Sequence, residues 1–407
     1  MLARQKTYQC LVRNAIAQPA LEMLVDVCDV AVVEQGGKMP NPNVLFLRND
    51  KISTDDYPDL IALGRAGTGV DNIDNNDLTK VSNRGIPIFY APGANANSVA
   101  ELAFMLMYGC ARNVFEARDF VQKIDLKLGN EAIDKLVETS KKQFRGFELM
   151  GKTLGVVGMG NIGRIVAKRA TQTGMHVIAF DPMIEDDVWE RDFEPSIMRA
   201  SSIKRLMRGS DVVSVHVNLN DKTRHLIGAE EIAEVKRGAI LLNLAREAIC
   251  DEDVIISALD RKRLHAFISD FPTERLITHP KAVTMPHLGA STGEAEERAG
   301  TMAAKALVDY LLYGVVANSI NFPTLEARPR AGIRMRLAIP HRNVPGIIGL
   351  VGDAIRDAGG NIGPFHNDTK NGLGYCVADL ENIIPAENVA LFIKSKPDIL
   401  GVRTFVF

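Results

Sequence analysis

The chain has 407 residues, of which 46% are hydrophobic and 24% charged, with a formal net charge of −2. That is enough material for two or three domains with apolar cores, and the interspersed, nearly balanced charges argue against a nucleic-acid partner recognised through overall field. Five scattered cysteines with no C-x-x-C pair argue against a disulfide framework or a zinc site; they read as buried thiols in a reducing compartment, and no metal is expected.

The opening stretch MLARQKTYQC lacks the apolar core of a signal peptide. In the first hundred residues YQCLV, NVLFL, LIALGRAG and GIPIFYAP read as strands, each a compact apolar run closed by Gly, Pro or Asn. They alternate with helix-like runs, the pattern of a parallel α/β sheet. One long helix is expected from Ser98 to about Val121, apolar enough to be buried on more than one side, with charged helical or loop-like residues at 125–149. The longest apolar tract, VAELAFMLMYGCA, carries Glu101 and is too short to span a bilayer, so a cytoplasmic protein without a membrane partner is expected.

A second α/β series runs through TLGVVG, HVIAFD, DVVSVHV, AILLNLA, LHAFISDF and AVTMPHL, and the helix TGEAEERAGTMAAKALVDYLLYG closes it. NFPTLEARPRAG, with two prolines, reads as a linker. The remainder reads as strand RMRLAI, helix GIIGLVGDAIRDAG, a strand near Asn361, strand GYCVADL, helix AENVALFIKS and strand VRTFVF, a ferredoxin-like βαββαβ order.

Gly158, Gly160 and Gly163 form G-x-G-x-x-G between an apolar strand and a helix, the context in which backbone can approach a pyrophosphate at a helix N-terminus. Asp181 ends the next strand, 18 residues beyond Gly163, where a carboxylate accepts both ribose hydroxyls and repels a 2′-phosphate. The expected cofactor is therefore NAD. Arg246, Glu274 and His287 fall where later strands should end, beside the ligand crevice of a doubly wound sheet. Oxidation of a carbinol requires a group to take the hydroxyl proton, and imidazole suits that at neutral pH. A carboxylate on its other nitrogen would orient it, and a guanidinium would hold a substrate carboxylate bidentately.

GMGNIG…FDP, NLAREAICDEDV, FPTE and PHLGAST together resemble the successive signatures of D-2-hydroxyacid dehydrogenases, over nearly the whole chain. The resemblance implies two doubly wound parallel-sheet domains, a discontinuous substrate domain (1–98 and 291–322) and a Rossmann nucleotide domain (99–290). It also implies Arg246, Glu274 and His287 as the catalytic set, and Asn161, Ile162, His216, Ala245 and Gly289 beside NAD with the glycines and Asp181. Family members carry an Asp against the nicotinamide carboxamide; here either Ser269 or Asp270 takes that place, with Asp270 preferred.

GRAGTGVDNID and APGANANSVAEL resemble the 3-phosphoglycerate dehydrogenases, one branch of the family. That implies Arg48 and Asn95 as substrate contacts, Arg48 at the phosphate, with the amides of Gly67 and Gly69 at the carboxylate; Arg65 and Arg84 add positive charge. After a linker at 323–332, residues 333–407 resemble an ACT domain, a module that pairs with its copy and binds amino acids at the seam. The resemblance places L-serine as effector on His341, Asn343 and Asn361, and implies a homodimer or homotetramer. The alternatives are a glyoxylate or hydroxypyruvate reductase, or an NAD(H)-sensing corepressor-like binding protein.

Overall fold

The computed structural model describes residues 8–35, 39–51, 53–69, 73, 75–385 and 396–407. The chain forms two compact units, one of residues 1–95 with 293–407 and the other of residues 96–292.

The first unit opens with β1 (Tyr8–Val12), α1 (Gln18–Val25), β2 (Cys28–Val32), β3 (Val44–Leu47), β4 (Ala62–Arg65), α2 (Asn75–Asn83) and β5 (Ile88–Phe89). Its strands make a parallel sheet in the order β2-β1-β3-β4-β5, the flavodoxin-like doubly wound arrangement. β2 is absent from the strands read in the sequence. Only Asp26 and Val27 separate it from α1, with no Gly or Pro to punctuate the apolar run.

The second unit begins with α3 (Ala96–Ala111), α4 (Val114–Gln122) and α5 (Asn130–Ser140). The single helix expected over 98–121 is thus two helices. Asn113 takes a left-handed conformation (φ 49°) between them, and the returning Phe147 donates its N–H to the Ala111 carbonyl at 2.8 Å, stopping α3. There follow β6 (Thr153–Val157), α6 (Asn161–Gln172), β7 (His176–Phe180), α7 (Asp186–Asp192), β8 (Ile197–Arg199), α8 (Ile203–Gly209), β9 (Val212–Val215), α9 (Ala229–Glu234), β10 (Ala239–Asn243), α10 (Glu252–Asp260), β11 (Leu264–Ser269), α11 (Glu274–Thr278) and β12 (Ala282–Thr284). The seven strands are parallel in the order β12-β11-β10-β9-β6-β7-β8. Strand order reverses between β6 and β9, the switch point where such sheets bind ligands. β10, AILLN, is buried throughout, as a central parallel strand covered on both faces must be.

The first unit resumes with α12 (Gly293–Tyr313), β13 (Met335–Arg342), α13 (Ile347–Asp357), β14 (Ile362–Lys370), β15 (Leu373–Leu380) and β16 (Arg403–Val406). The last four strands form an antiparallel sheet in the order β14-β15-β13-β16. The helix expected over 386–395 lies outside the described residues.

Both faces of this small sheet are covered. Met335, Leu337 and Ile339 of β13 pack against Ile347, Val351 and Ile355 of α13. On the other face Ala338, Tyr375, Val377 and Phe405 share one core with Tyr310, Phe322 and the five-stranded sheet. Within that face Arg336, fully buried, grips Asp379 bidentately at 2.6 and 2.8 Å and donates to the carbonyls of Tyr313 and Ala327 at 2.8 Å. The stretch 323–332 is irregular yet strapped down: Leu325 bridges Val316, and Arg328 pairs with Asp309 at 2.5 Å and lies over the Tyr313 ring. No helix among the described residues is long and apolar enough to cross a membrane.

Candidate active site

The glycine signature sits at the switch point. Gly158 follows β6 with φ 91°, and a Cβ there would stand 2.6 Å from the His216 carbonyl at the end of β9. A Cβ on Gly163 would overlap the Gly158 carbonyl, which is why helix α6 can lie so close to the strand. Beside Gly160, by contrast, there is open space. Gly160 is also the N-cap of α6, so no side chain caps the first turn opened by Asn161, Ile162 and Gly163, and that turn contains no acid. Uncapped amides at the positive end of a twelve-residue helix suit a pyrophosphate.

Asp181 holds this loop: Oδ2 accepts the Met159 N–H and Oδ1 the Met183 N–H, each at 2.9 Å. Two lone pairs remain for ribose hydroxyls. His216 bonds Ser214 Oγ through Nε2 at 2.8 Å, and burial pushes its imidazole down to about 4, so it is neutral at physiological pH. These features fit a bound dinucleotide.

Arg246, Asp270 and His287 all follow the carboxyl ends of strands in the same sheet: β10, β11 and β12. Buried Asn243 sets the first of these turns, accepting from the Ala245 N–H at 3.2 Å and donating to the Arg246 carbonyl at 2.8 Å. Arg246 Nη1 donates to the Ala245 carbonyl at 2.7 Å.

Ser269 is 2% exposed and its hydroxyl bonds Phe271 backbone. Asp270 does more. Its carbonyl accepts the His287 N–H at 3.1 Å, and its carboxylate oxygens accept the Leu288 and Gly289 N–H groups at 2.7 Å each. Three successive amides are thereby fixed. The grip holds His287 at φ 57°, a left-handed conformation that costs a non-glycine residue about 1–3 kcal/mol. Burial raises the Asp270 carboxyl above its ordinary value, while the two amides oppose the shift. Ser98 Oγ anchors the far side of the loop on the Gly289 carbonyl at 2.8 Å.

The His287 ring is exposed and rests on Phe271, with centroids 5.0 Å apart. Glu274, exposed in the first turn of α11, is not hydrogen-bonded to His287. The structure thus joins Asp270 to His287 and leaves Glu274 apart. Nothing in the sequence singles out Asn243 or Ser98, since an Asn after an apolar strand and a Ser opening a helix look ordinary.

In the first unit Arg48 follows β3. Asn14, itself at φ 73°, accepts the N–H groups of Arg48, Asn49 and Asp50 on one oxygen at 3.1, 3.0 and 3.2 Å, another anchor that no sequence signal marks. The Arg48 guanidinium pairs with Glu296 at 2.7 Å. Gly67 donates its N–H to the Arg65 carbonyl at 2.8 Å, so a carboxylate there would draw on its neighbours, Gly69 included. Asn95 accepts from Thr68 Oγ1 at 3.0 Å, which engages its oxygen and not its amide donors. Arg84 caps the carbonyls of Thr54, Tyr57 and Pro58 at 2.7–3.1 Å, a structural task.

The three residues expected to hold an effector do not meet within one chain. His341 is 2% exposed at one end of β13, bonded to Asn367 at 2.9 Å, and Asn343 follows it. Asn361 precedes β14 at the opposite end of the sheet and donates to Glu381 at 2.6 Å. From the strand register the separation is about 20 Å.

A seven-stranded doubly wound sheet with an uncapped glycine turn at its switch point defines a dinucleotide-binding protein. Residues 104–289 match the family described as D-isomer specific 2-hydroxyacid dehydrogenase, NAD binding domain. The chain is 38% identical over 275 residues to a hydroxypyruvate reductase of Thermotoga maritima, covering 64% of this chain and 82% of that one. It is 36% identical over 331 residues to a D-3-phosphoglycerate dehydrogenase of Methanocaldococcus jannaschii, covering 77% of this chain but only 60% of the relative's length. Among solved structures, the NAD+-bound 3-phosphoglycerate dehydrogenase of Entamoeba histolytica matches with a TM-score of 0.61 at 25% identity, over 77% of this chain and 99% of that one. This chain belongs to the D-isomer-specific 2-hydroxyacid dehydrogenase family, and its second unit carries that family's NAD-binding domain.

Proposed function

We propose that the protein oxidises 3-phospho-D-glycerate to 3-phosphohydroxypyruvate with NAD, the entry reaction of serine synthesis, and that L-serine inhibits it. The observation that carries the chemistry is the Asp270 grip, which presents the His287 imidazole at the carboxyl edge of the nucleotide sheet. His287 takes the C2 hydroxyl proton as the C2–H bond breaks, and the hydroxyl becomes a carbonyl. NAD, when bound, supplies the acceptor for the hydride. Glu274 orients and stabilises the imidazolium; its bond to His287 would form in the substrate complex, since such bonds are often loose before ligands bind. Arg246 holds the substrate carboxylate and Arg48 its phosphate. Asn95 and the Gly67–Gly69 turn complete the polar contacts, and Asp270 also meets the nicotinamide carboxamide.

The C-terminal sheet acts as an ACT domain in this reading. One chain would supply His341 and Asn343 and a second copy Asn361, so the active form is a homodimer or homotetramer. A second reading rests on the Arg48–Glu296 pair, in which Glu296 already neutralises the positive charge proposed to hold the phosphate. It makes the protein a reductase of unphosphorylated 2-oxo acids, in keeping with the similarity to a hydroxypyruvate reductase.

The test follows NADH absorbance with 3-phosphohydroxypyruvate, hydroxypyruvate and glyoxylate, each with and without L-serine. Preference for the phosphorylated acid together with serine inhibition supports the first reading. Preference for the unphosphorylated acids supports the second.

A further inference from the structure

Helices α9 and α10 leave between them a cleft of about 640 Å³, within the range of small-molecule sites, about 300–1,000 Å³. Ile232, Ala233, Val254 and Ala258 give it an apolar lining, and Arg237, Arg261, Arg263 and the acid Asp253 line it too. Arg237 lies two residues before β10 and Arg263 immediately before β11, at the amino edge of the parallel sheet. Gly158, Arg246 and His287 all lie at the carboxyl edge. The arginines therefore serve neither the glycine turn nor the His287 loop.

Their charge is only partly answered: Arg208 chiefly, and Arg263 in part, hold the Glu234 carboxyl below its ordinary range. Among the described residues none of the three forms an ion pair, and the nearby acids are committed elsewhere, Glu234 to Arg208 and Asp253 to Arg275. Arg263 Nη2 donates to the Ala233 carbonyl, which fixes its guanidinium at the cleft, while its Nε is buried with no acceptor among the described residues. Buried donors are rarely left in that state. Guanidinium groups offer paired N–H donors matched to phosphate oxygens, and an apolar lining beside them matches an apolar body on the same molecule.

We propose that this cleft binds a small phosphate monoester with an apolar body. The dianionic phosphate lies on Arg237, Arg261 and Arg263, and the body lies along Ile232, Ala233, Val254 and Ala258. The site is separate from the proposed reaction and does not depend on which 2-hydroxy acid is turned over.

Calorimetry on the full chain saturated with NADH, using phenyl phosphate as the probe, tests this. Inorganic phosphate and benzyl alcohol measure the two halves of the ligand separately. The expected result is one site per chain, with phenyl phosphate bound at least about tenfold more tightly than either half. Arg237→Gln with Arg261→Gln should weaken it by at least about tenfold. Ser257→Trp, which fills the cleft and keeps all three arginines, should weaken it as much, whereas Arg48→Gln should leave it unchanged. NADH affinity should be the same in every variant. No binding, affinity equal to that of inorganic phosphate, indifference to Ser257→Trp, or loss in Arg48→Gln would each overturn the proposal. The last would place the probe at the residue proposed for the substrate phosphate.

Discussion

The carboxyl edge of the seven-stranded sheet and the lobe built on the five-stranded sheet place their polar groups by different means. Around the nucleotide sheet, side chains hold backbone: Asp181 takes two amides, Asn243 bridges the Ala245–Arg246 turn, and Asp270 takes two amides of the His287 loop. In the other lobe Asn14 holds three amides in the same way, but there charge also meets charge across long stretches of chain, Arg48 with Glu296 and Arg336 with Asp379. The first device fixes dipoles in advance, so little reorganises when charge develops at a reacting centre. The second leaves balanced charges: a ligand can compete for one where it is partly exposed, and where the pair is buried it serves only to hold packed layers together.

The largest effect should come from breaking the buried pair. Arg336→Met leaves Asp379 buried and uncompensated, which costs about 3–5 kcal/mol. Urea unfolding should show the loss, Arg336→Met with Asp379→Leu should recover much of it, and NADH affinity should hardly move. If the single variant is as stable as the parent, the pair does not hold the small sheet in place.

Asp270→Asn tests the backbone grip. An amide retains one acceptor oxygen but sets an NH2 against the second N–H, so the His287 loop shifts. A displacement of about 1 Å at a reacting group lowers kcat by about 10². NADH binding should weaken as well, through the proposed carboxamide contact, and unchanged kcat would show that the loop holds itself.

His216 gives the pH dependence. Its imidazole is held at about 4 when folded, whereas the unfolded chain protonates near 6.5. The unfolded state therefore binds the extra proton across that window, and stability falls as pH drops from about 6.5 to 4, by about 3 kcal/mol. His216→Gln should remove that slope in unfolding measured at several pH values; an unchanged slope would assign it to other groups.

The smallest effect is the most informative about substrate. Glu296→Gln removes the partner of a half-exposed Arg48, a change worth up to about 1 kcal/mol. KM for 3-phosphohydroxypyruvate should fall several-fold while that for hydroxypyruvate stays put. Equal changes for both would detach the pair from phosphate recognition.

The difference between the two devices also governs how much of the molecule is legible in its amino-acid sequence. The G-x-G-x-x-G turn and the strands leading to Arg246, Asp270 and His287 are legible because strand, turn and helix follow one another within a few residues. That Asp270 rather than Ser269 holds the His287 loop depends on the Leu288 and Gly289 amides, 18 and 19 residues away. Glu296 lies 248 residues from Arg48, and nothing local marks it as a partner. The break at Asn113 is likewise imposed from afar, by Phe147 closing on Ala111. RMRLAI reads correctly as a strand, but its burial on both faces depends on Asp379 and on a core supplied by the first hundred residues. His341 and Asn361 look like one cluster by residue type; only the register of β13, β14 and β15 sets them at opposite ends.

The proposed role of Arg48 is to read a phosphate on the substrate of a His287-dependent dehydrogenase. Its most direct test is the ratio of kcat/KM for 3-phosphohydroxypyruvate over hydroxypyruvate, measured in the parent chain and in Arg48→Gln. The expected ratio is well above unity and falls by about tenfold or more in the variant, the effect of losing one charge-assisted contact. A ratio below unity in the parent, or equal losses on both substrates in the variant, would contradict it.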